Sequence, residues 1–268
     1  MNTAVLRTRK LIPHLLQPAV SMSSTSVPPT APIAARGEGI VAAAAGAEAA
    51  ADVVTSWRER ITGSIARSRK VRGGNYVQIA TVDPEAGRPH CRTVVSRGFL
   101  PADTHGFGGA SGGADAFKMI TDGRSAKAAQ IAARPACEMV WWFAKSSEQY
   151  RIEGELQLVG SPGTPSASAG AGSASALLAA ARKQQWGELS DPAREQFFWD
   201  GPGLYSGDAE VPKGGRDAES GSVLEAPPSF LLMLLHPTRV HYLRLTDNFA
   251  QVDELGEDKQ WSTRRVNP

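Results

Sequence analysis

Residues 117–155 constrain the fold of this chain more than any other stretch, because three strand patterns and a short helix follow one another with little connecting sequence. The strand patterns are Phe117–Thr121, Ala136–Phe143 and Gln149–Val159. The first and last alternate apolar with polar residues, which indicates half-buried strands, and the middle one is apolar and aromatic enough to be buried on both faces. Ser125 can cap a helix over Ala126–Ala133, and Pro135 ends it. Such short connections favour antiparallel pairing.

The turn before this helix gathers groups that bind anions. Arg124, Ser125 and Lys127 place two cations and a hydroxyl beside the helix N-terminal amides. Cations, a hydroxyl and free amides together predict a phosphate site. The same residues are also typical of an ordinary solvated helix start, so the local pattern leaves both interpretations open.

A second stretch, Pro89–Arg97, is predicted as a strand that carries Arg92 and Arg97. Two residues five positions apart on a strand point to opposite faces. One arginine can therefore hold a phosphate while the other reaches the edge of a ring.

The rest of the chain adds strands and helices around this centre. Further strands are predicted over Asn75–Val82, in two pieces of Phe230–Leu245 broken at His236-Pro237, and in a closing hairpin of Ala250–Leu255 and Lys259–Val266. Helices are predicted over Ile40–Val71, Ala176–Trp186 and Pro192–Trp199. Six or so mostly antiparallel strands with marginal helices indicate an α+β fold with a small barrel. Segments rich in Gly, Pro and Ser predict flexible insertions near residues 101–115, 161–175 and 201–226.

Several functional classes are disfavoured by composition and pattern. The formal net charge is +2, so the overall charge shows no preference for nucleic acid or for a membrane surface. No apolar run approaches the ~18 residues of a membrane span. Cys91 and Cys137 form no metal-binding spacing, and both are predicted to be buried, reduced thiols. A G-x-S-x-G match at residues 109–113 lacks the preceding strand that a hydrolase nucleophile elbow needs.

Residues 1–40 differ from the remainder. They contain Arg7, Arg9, Lys10 and Arg36, many Ser, Thr, Ala and Pro, and no acidic residue before Glu38. This composition is typical of an organellar transit peptide, and a plain disordered tail is the alternative. The expected location is a chloroplast or mitochondrion in the first case and the cytoplasm in the second. Residues 41–268 are then the folded domain.

Five motifs occur in the order seen in one known family: Arg92–Arg97 (RTVVSR), Ile120–Asp122 (ITD), Arg124–Lys127 (RSAK), Arg134-Pro135 and Gln149–Gly154 (QYRIEG). The sequence resembles pyridoxamine 5′-phosphate oxidases, and over about residues 52–268 it resembles the FMN-binding split-barrel proteins related to them. The ending, a tryptophan followed by an arginine and Asn-Pro, resembles the plant and cyanobacterial branch. The order and spacing of the motifs are specific, although each motif alone is weak.

The resemblance implies a six-stranded antiparallel split β-barrel and a homodimer that binds FMN in a cleft between subunits. The residues implied to contact FMN are Arg92, Thr93, Val94, Val95, Arg97, Ile120, Thr121, Arg124, Ser125, Lys127 and Gln149. Lys127 matches the family's phosphate-binding lysine, and Gln149 matches the glutamine that reads the polar edge of the flavin. Arg97 stands where lysine is usual. Arg124 lies two positions before Ala126, which occupies the place of the family's neighbouring arginine.

The departures concern the substrate. The family's oxidases hold pyridoxal phosphate with a Tyr, an Arg and a Ser after the Gln149 strand, and a Ser/Ala-rich linker stands there instead. Late in the chain, Arg244-Leu245-Thr246 lacks the histidine of the family's Arg-x-His, and Leu243 replaces a flavin-contacting tryptophan. The resemblance thus implies a flavin-dependent oxidoreductase acting on a small molecule other than pyridoxamine phosphate. The alternative is a non-catalytic module that holds FMN or another planar ligand.

Overall fold

The computed structural model describes residues 55–100, 115–160, 173–204 and 210–268. Within these ranges, eight strands join in one antiparallel sheet flanked by four α-helices. The strands are β1 (Tyr76–Val82), β2 (Pro89–Val95), β3 (Phe117–Asp122), β4 (Ala136–Phe143), β5 (Glu148–Val159), β6 (Phe230–Arg244), β7 (Phe249–Leu255) and β8 (Trp261–Val266). The helices are α1 (Trp57–Ser68), α2 (Ala126–Ala133), α3 (Ala174–Gly187) and α4 (Asp191–Glu195).

The 15-residue strand β6 organises the sheet. It pairs with β5 along one edge, and its other edge is shared by β3 and β7. Beyond β5 the order continues through β4 and β1 to β2. Just after β2, the Arg97 amide donates to the Lys118 carbonyl (2.8 Å) and the Lys118 amide donates to the Gly98 carbonyl (2.7 Å). Strands β1–β6 therefore form an open, split barrel, and β7 and β8 extend its sheet.

The core follows the alternation in the sequence. Ile79, Met139, Ile152 and Val240 lie opposite one another across β1, β4, β5 and β6, and each is fully buried. Residues two apart on a strand share a face, so one period-two pattern per strand suffices to build this row. Burying a side chain of this size stabilises the fold by about 1.5–3 kcal/mol.

Helix α1 packs at the margin of the barrel. It begins with a capping box, in which the Ser56 hydroxyl accepts from the Glu59 amide and the Glu59 carboxylate accepts from the Ser56 amide. The Trp57 ring is buried against the rings of Phe117 (5.9 Å between centroids) and Trp261 (5.3 Å). The helix ends three residues before the predicted Val71, and residues 40–54 of the predicted helix lie outside the described ranges.

A buried carboxylate ties α1 to the sheet. Glu148 is 4% exposed and accepts hydrogen bonds from Ser64 Oγ (2.8 Å), Tyr242 Oη (2.8 Å) and Arg67 Nη2 (2.8 Å). Burial by itself raises the pKa of Glu148, but hydrogen bonds from Ser146, Arg67, Tyr242 and Ser64 outweigh burial and hold the pKa below its usual range. The carboxylate therefore stays ionised inside the protein.

Two expectations about β6 and the cysteines are wrong. Strand β6 runs unbroken through His236-Pro237, because Pro237 pairs with Gly154 next to a bulge at Thr238 of β6, where a missing N–H is tolerated. Cys91 is exposed, since its side chain lies on the outer face of an edge strand; Cys137 is buried as predicted, and both thiols are free.

The segment predicted as a flexible insertion over residues 201–226 carries local structure where it is described. A 3₁₀ turn at Lys213–Gly215 lies against α4, and Arg216 and Val223 form an isolated antiparallel bridge. Arg216 also pairs with Asp191 (2.9 Å). The glycines read as flexible in the sequence are needed here for their conformation, because Gly214 and Gly215 have positive φ and leave no room for a Cβ against Asp191 and Arg194.

The remaining predicted segments lie mostly outside the described residues. These are the N-terminal segment 1–40, the loop 101–114 with its G-x-S-x-G match, and most of the linker, residues 161–172. Asp115 and Ser173–Ser175 are described, and Ser173 caps α3. None of the helices in the described ranges is long and apolar enough to cross a membrane.

Candidate functional site: a cationic cleft at the β3–α2 turn

The turn between β3 and α2 aims polar groups at one point. Asp122 and Gly123 end the strand, and the Ser125 hydroxyl donates to the Asp122 carbonyl (2.7 Å). Ser125 has the extended backbone of an N-cap, but its side chain makes no capping hydrogen bond to the helix. Its oxygen instead accepts from Lys127 Nζ (3.3 Å), beside a second hydroxyl, that of Thr121 (3.0 Å from the same Nζ).

Lys127 is a largely buried cation with neutral partners. Burial lowers its pKa, the nearby charge of Arg92 lowers it further, and Asp122 only partly opposes them. Among the residues that the structure describes, no carboxylate forms an ion pair with Lys127. A buried ammonium in such surroundings is stabilised when an anion binds beside it.

Arg92 reinforces the same charge from β2. Its guanidinium donates to Thr81 Oγ1 (2.6 Å) and to Gln130 Oε1 of α2 (3.1 Å), both uncharged. Burial is the main cause that lowers the pKa of Arg92. Two partly desolvated cations thus lie close together without a carboxylate partner in the described part of the chain.

Arg97 supplies a third cation. Its Nε is buried and has no hydrogen-bond partner in the described residues. Burial lowers the pKa of Arg97, and the charge of Glu188 opposes this only in part. A buried N–H that the protein leaves unsatisfied is expected to meet a ligand or ordered water.

Lys127 and Arg97 border a cavity of about 510 Å³, within the range of roughly 300–1,000 Å³ found for cofactor sites. Its lining residues are Val94, Val95, Arg97, Ile120, Thr121, Asp122, Lys127, Ala193, Gln196, Phe197, Trp199, Asp200 and Pro202. Six of the eleven predicted site residues are in this lining. Ser125 lies next to the lining because it contacts Lys127. Arg92 contacts Thr81 and Gln130, which are outside the lining, and its charge acts on Lys127.

The other three predicted residues lie elsewhere. Thr93 is exposed on the outer face of β2. Gln149 is on the outer face of β5, opposite Trp142 and Leu243. Arg124 is not itself in the lining but contacts residues that are: it pairs with Asp122 (2.6 Å), and its Nη1 donates to the Trp199 carbonyl (2.8 Å).

Sequence reasoning missed one wall of the cavity. This wall comprises the described lining residues between Ala193 and Pro202, on α4 and the 3₁₀ turn after it. They are about 70 residues from Lys127 in the chain, so no local motif links them to the cation cluster. The signal was a Trp-Asp-Gly-Pro sequence at a predicted helix end, an aromatic residue within a polar loop.

Comparisons with known proteins identify the family of this fold. The model of the pyridoxamine 5′-phosphate oxidase FMN-binding domain matches residues 54–160, which carry β1–β5 and α2. The crystal structure of a pyridoxamine 5′-phosphate oxidase-related, FMN-binding protein from Nostoc punctiforme is 33% identical, with a TM-score of 0.64, and covers 80% of this chain and 99% of its own.

Two further relatives are more distant. Pyridoxine/pyridoxamine 5′-phosphate oxidase 2 of Arabidopsis thaliana is 28% identical over 220 residues, 80% of this chain and 98% of that protein. PhzG from Burkholderia lata is 15% identical with a TM-score of 0.52, which shows a shared fold alone.

Fold, cation cluster and matches together define an FMN-binding split-barrel protein. The matched domain covers the turn that carries Thr121, Ser125 and Lys127, and FMN is the cofactor of that domain. The chain belongs to the pyridoxamine 5′-phosphate oxidase-related family of FMN-binding proteins.

The residues present fit FMN. A phosphate needs cations and donors, and Lys127 would supply both from the cavity lining, with the charge of Arg92 close to it. Apolar lining from Val94, Ile120 and Phe197 suits a planar ring.

Proposed function

We propose that this protein binds FMN with its phosphate beside Lys127 and Arg92, and that it is a flavin-dependent oxidoreductase. The observation that carries the proposal is a set of partly desolvated cations that have no carboxylate partner in the described ranges. Arg97 and Lys127 line one cavity, and Arg92 lies close enough to Lys127 for its charge to lower the pKa of that lysine. Bound FMN would supply hydride- or electron-transfer chemistry. The chain supplies binding charge, orientation and an apolar wall that excludes water.

A substrate other than pyridoxamine phosphate is supported by the late arginine. Arg244 stands in the place of the family's substrate-binding arginine, and it forms an ion pair with Asp247 (2.6 Å). An arginine neutralised in this way offers less to a second phosphate than a free one does. We therefore propose a small substrate without a phosphate group.

The first test separates phosphate from ring recognition. Lys127→Ala and Arg92→Ala each remove a charge-assisted contact, so FMN affinity should fall ten- to a hundredfold, or about 1.5–3 kcal/mol. Riboflavin, which lacks the phosphate, should lose much less. Fluorescence titration of both flavins into the parent, the two variants and the control Arg134→Ala measures this. A parent protein that ignores FMN, or equal losses for both flavins, would refute the phosphate assignment.

Turnover decides between the enzyme and the binding module. An oxidoreductase should have its bound flavin reduced by NADPH under anaerobic conditions and reoxidised by a subset of candidate acceptors. Stopped-flow absorbance at the flavin band follows both steps. Flavin that stays oxidised with NADPH and with other common reductants would favour the non-catalytic module.

We also propose that the protein works as a homodimer. An outer-face row formed by Trp142, Gln149 and Leu243 crosses β4, β5 and β6, and Tyr76 lies on the same face of the neighbouring β1. The rings of Trp142 and Tyr76 are about half exposed. Exposed aromatic residues at neighbouring positions favour an interface between proteins. Gln149 lies in this row and outside the described cavity lining, so we propose that it contacts a flavin ring bound to the partner subunit.

For the N-terminal segment we propose organellar targeting. The support is its composition, basic and hydroxylated with no acid before Glu38. Fusing residues 1–40 to a fluorescent reporter should send it to a chloroplast or mitochondrion. A diffuse cytosolic signal would identify the segment as a plain tail.

A further inference from the structure

Arg124 belongs to the predicted phosphate-binding cluster, but its charge is already paired with a carboxylate of the protein. Its Nε lies 3.0 Å from Asp122 Oδ1 and its Nη2 lies 2.6 Å from Asp122 Oδ2, a two-point contact. This hydrogen-bonded contact raises the pKa of Arg124, and Asp200 adds to the effect. A guanidinium facing two carboxylates has little charge left for a phosphate.

The remaining donors of Arg124 hold the missed wall of the cavity. Nη1 donates to the Trp199 carbonyl (2.8 Å) and Nη2 to the Phe197 carbonyl (3.3 Å). The aliphatic part of the side chain lies beside Gly201. The Arg124 guanidinium therefore joins the carboxylate at the end of β3 to backbone carbonyls at the end of the cavity wall.

The wall is also fixed at its other end. Arg194 of α4 is 2% exposed and donates to the carboxylate of Asp191 and to the Gly214 carbonyl (3.2 Å). Asp191 also pairs with Arg216 (2.9 Å). Between these attachments lie Gln196, Phe197 and Trp199, which face the cavity. At the Arg124 end, Phe197 is also held by Ser229, whose Oγ donates to the Phe197 carbonyl (3.2 Å), and by ring packing against Phe230 (5.1 Å between centroids). Trp199 follows directly after the 3₁₀ turn.

We infer that Arg124 is a positioning residue: it fastens Phe197 and Trp199 to the phosphate end of the cavity and so sets the wall against which the flavin ring packs. This inference rests on the proposed binding of FMN in the same cavity. It assigns to Arg124 a role in recognising the part that FMN shares with riboflavin.

The test keeps the positive charge at position 124 and removes the guanidinium group that makes several hydrogen bonds at once. Arg124→Lys retains a cation beside Asp122 but cannot span the carboxylate and two carbonyls. The double variant Asp122→Asn, Arg124→Gln also removes the guanidinium group and leaves the net charge of the protein unchanged. Both should weaken FMN and riboflavin by the same factor, on the order of tenfold. Arg134→Lys, at an exposed arginine at the other end of α2, is the matched control.

A second readout needs no ligand. Amide hydrogen exchange over residues 193–202 of the ligand-free protein should speed up in Arg124→Lys and stay at the parent rate in Lys127→Ala. Loss of FMN affinity alone would make Arg124 a phosphate ligand and overturn the inference. Unchanged affinity for both flavins, or unchanged exchange, would show that the wall does not depend on Arg124. If the parent binds neither flavin and Arg124→Lys still speeds up exchange over residues 193–202, the proposed function would be overturned instead.

Discussion

The charged residues at the cleft differ in whether a carboxylate of the protein already pairs with their positive charge. Lys127 and Arg124 are three positions apart, yet Lys127 contacts hydroxyls and Arg124 contacts a carboxylate. The sequence predicts a cation cluster at this turn, and it cannot predict which cation is free, because that depends on the direction of each side chain. Lys127 follows the first turn of α2 toward β3, whereas Arg124 extends to a loop 75 residues away.

Glu148 allows a residue-level prediction of pH dependence. Its folded pKa is held below the unfolded value of about 4.3. The stability it contributes is therefore present above about pH 4.3 and is lost as the pH falls through the folded pKa. Glu148→Gln should lower the free energy of unfolding at pH 7 by about 1–3 kcal/mol.

Urea unfolding across pH 3–7 measures this effect. The difference between parent and Glu148→Gln should shrink as the pH falls below about 4.3. Glu257→Gln, at an exposed turn between β7 and β8, should show no difference at any pH. A gap between parent and Glu148→Gln that stays constant over the range would argue against an ionised buried carboxylate.

At the scale of elements, periodicity predicts most of the sheet, and its failures have local causes. Strands β1–β5, β7 and β8 lie within two or three residues of their predicted bounds. The prediction split β6 because proline disfavours a central strand. Only the three-dimensional pairing shows that Gly154 opposes Pro237 beside a bulge, where the sheet tolerates the missing hydrogen bond. The wall after α4 was missed for the same reason, since its contacts are not local in sequence.

Gly154 should tolerate no side chain. An added Cβ would collide with the His236 carbonyl oxygen and lie 2.8 Å from its carbon, both rigid backbone atoms. Gly154→Ala should therefore lower the free energy of unfolding by about 1–3 kcal/mol or more. Gly187→Ala, at the end of α3 with nothing within 4 Å of the new Cβ, is the control. Equal thermal unfolding midpoints for the two variants would contradict this account of the bulge.

At the scale of the whole molecule, Gln149, the glutamine expected to contact the flavin ring, lies in the outer-face row and outside the cavity lining of its own chain. If two copies pair through this row, a charge at its centre should separate them. Trp142→Glu should raise the dissociation constant of the dimer at least about tenfold, since burying an unpaired carboxylate is costly. It should also weaken FMN binding.

Sedimentation velocity over a range of concentrations measures the assembly. Val223→Glu places the same charge on another exposed apolar residue, away from the row, and should leave the dimer intact. A Trp142→Glu protein that sediments like its parent would place the interface elsewhere.

The attachment of α1 has a consequence for maturation of the chain. Gln251 of β7 donates to the Thr55 carbonyl (3.1 Å), Ser56 starts the capping box, and the Trp57 ring fills the core. If a peptidase removes the proposed targeting segment, a cut before Thr55 would keep these three contacts. A cut beyond Trp57 would expose a hydrophobic gap lined by Phe117 and Trp261. The contacts of Thr55, Ser56 and Trp57 thus set a physical limit on where such processing could stop.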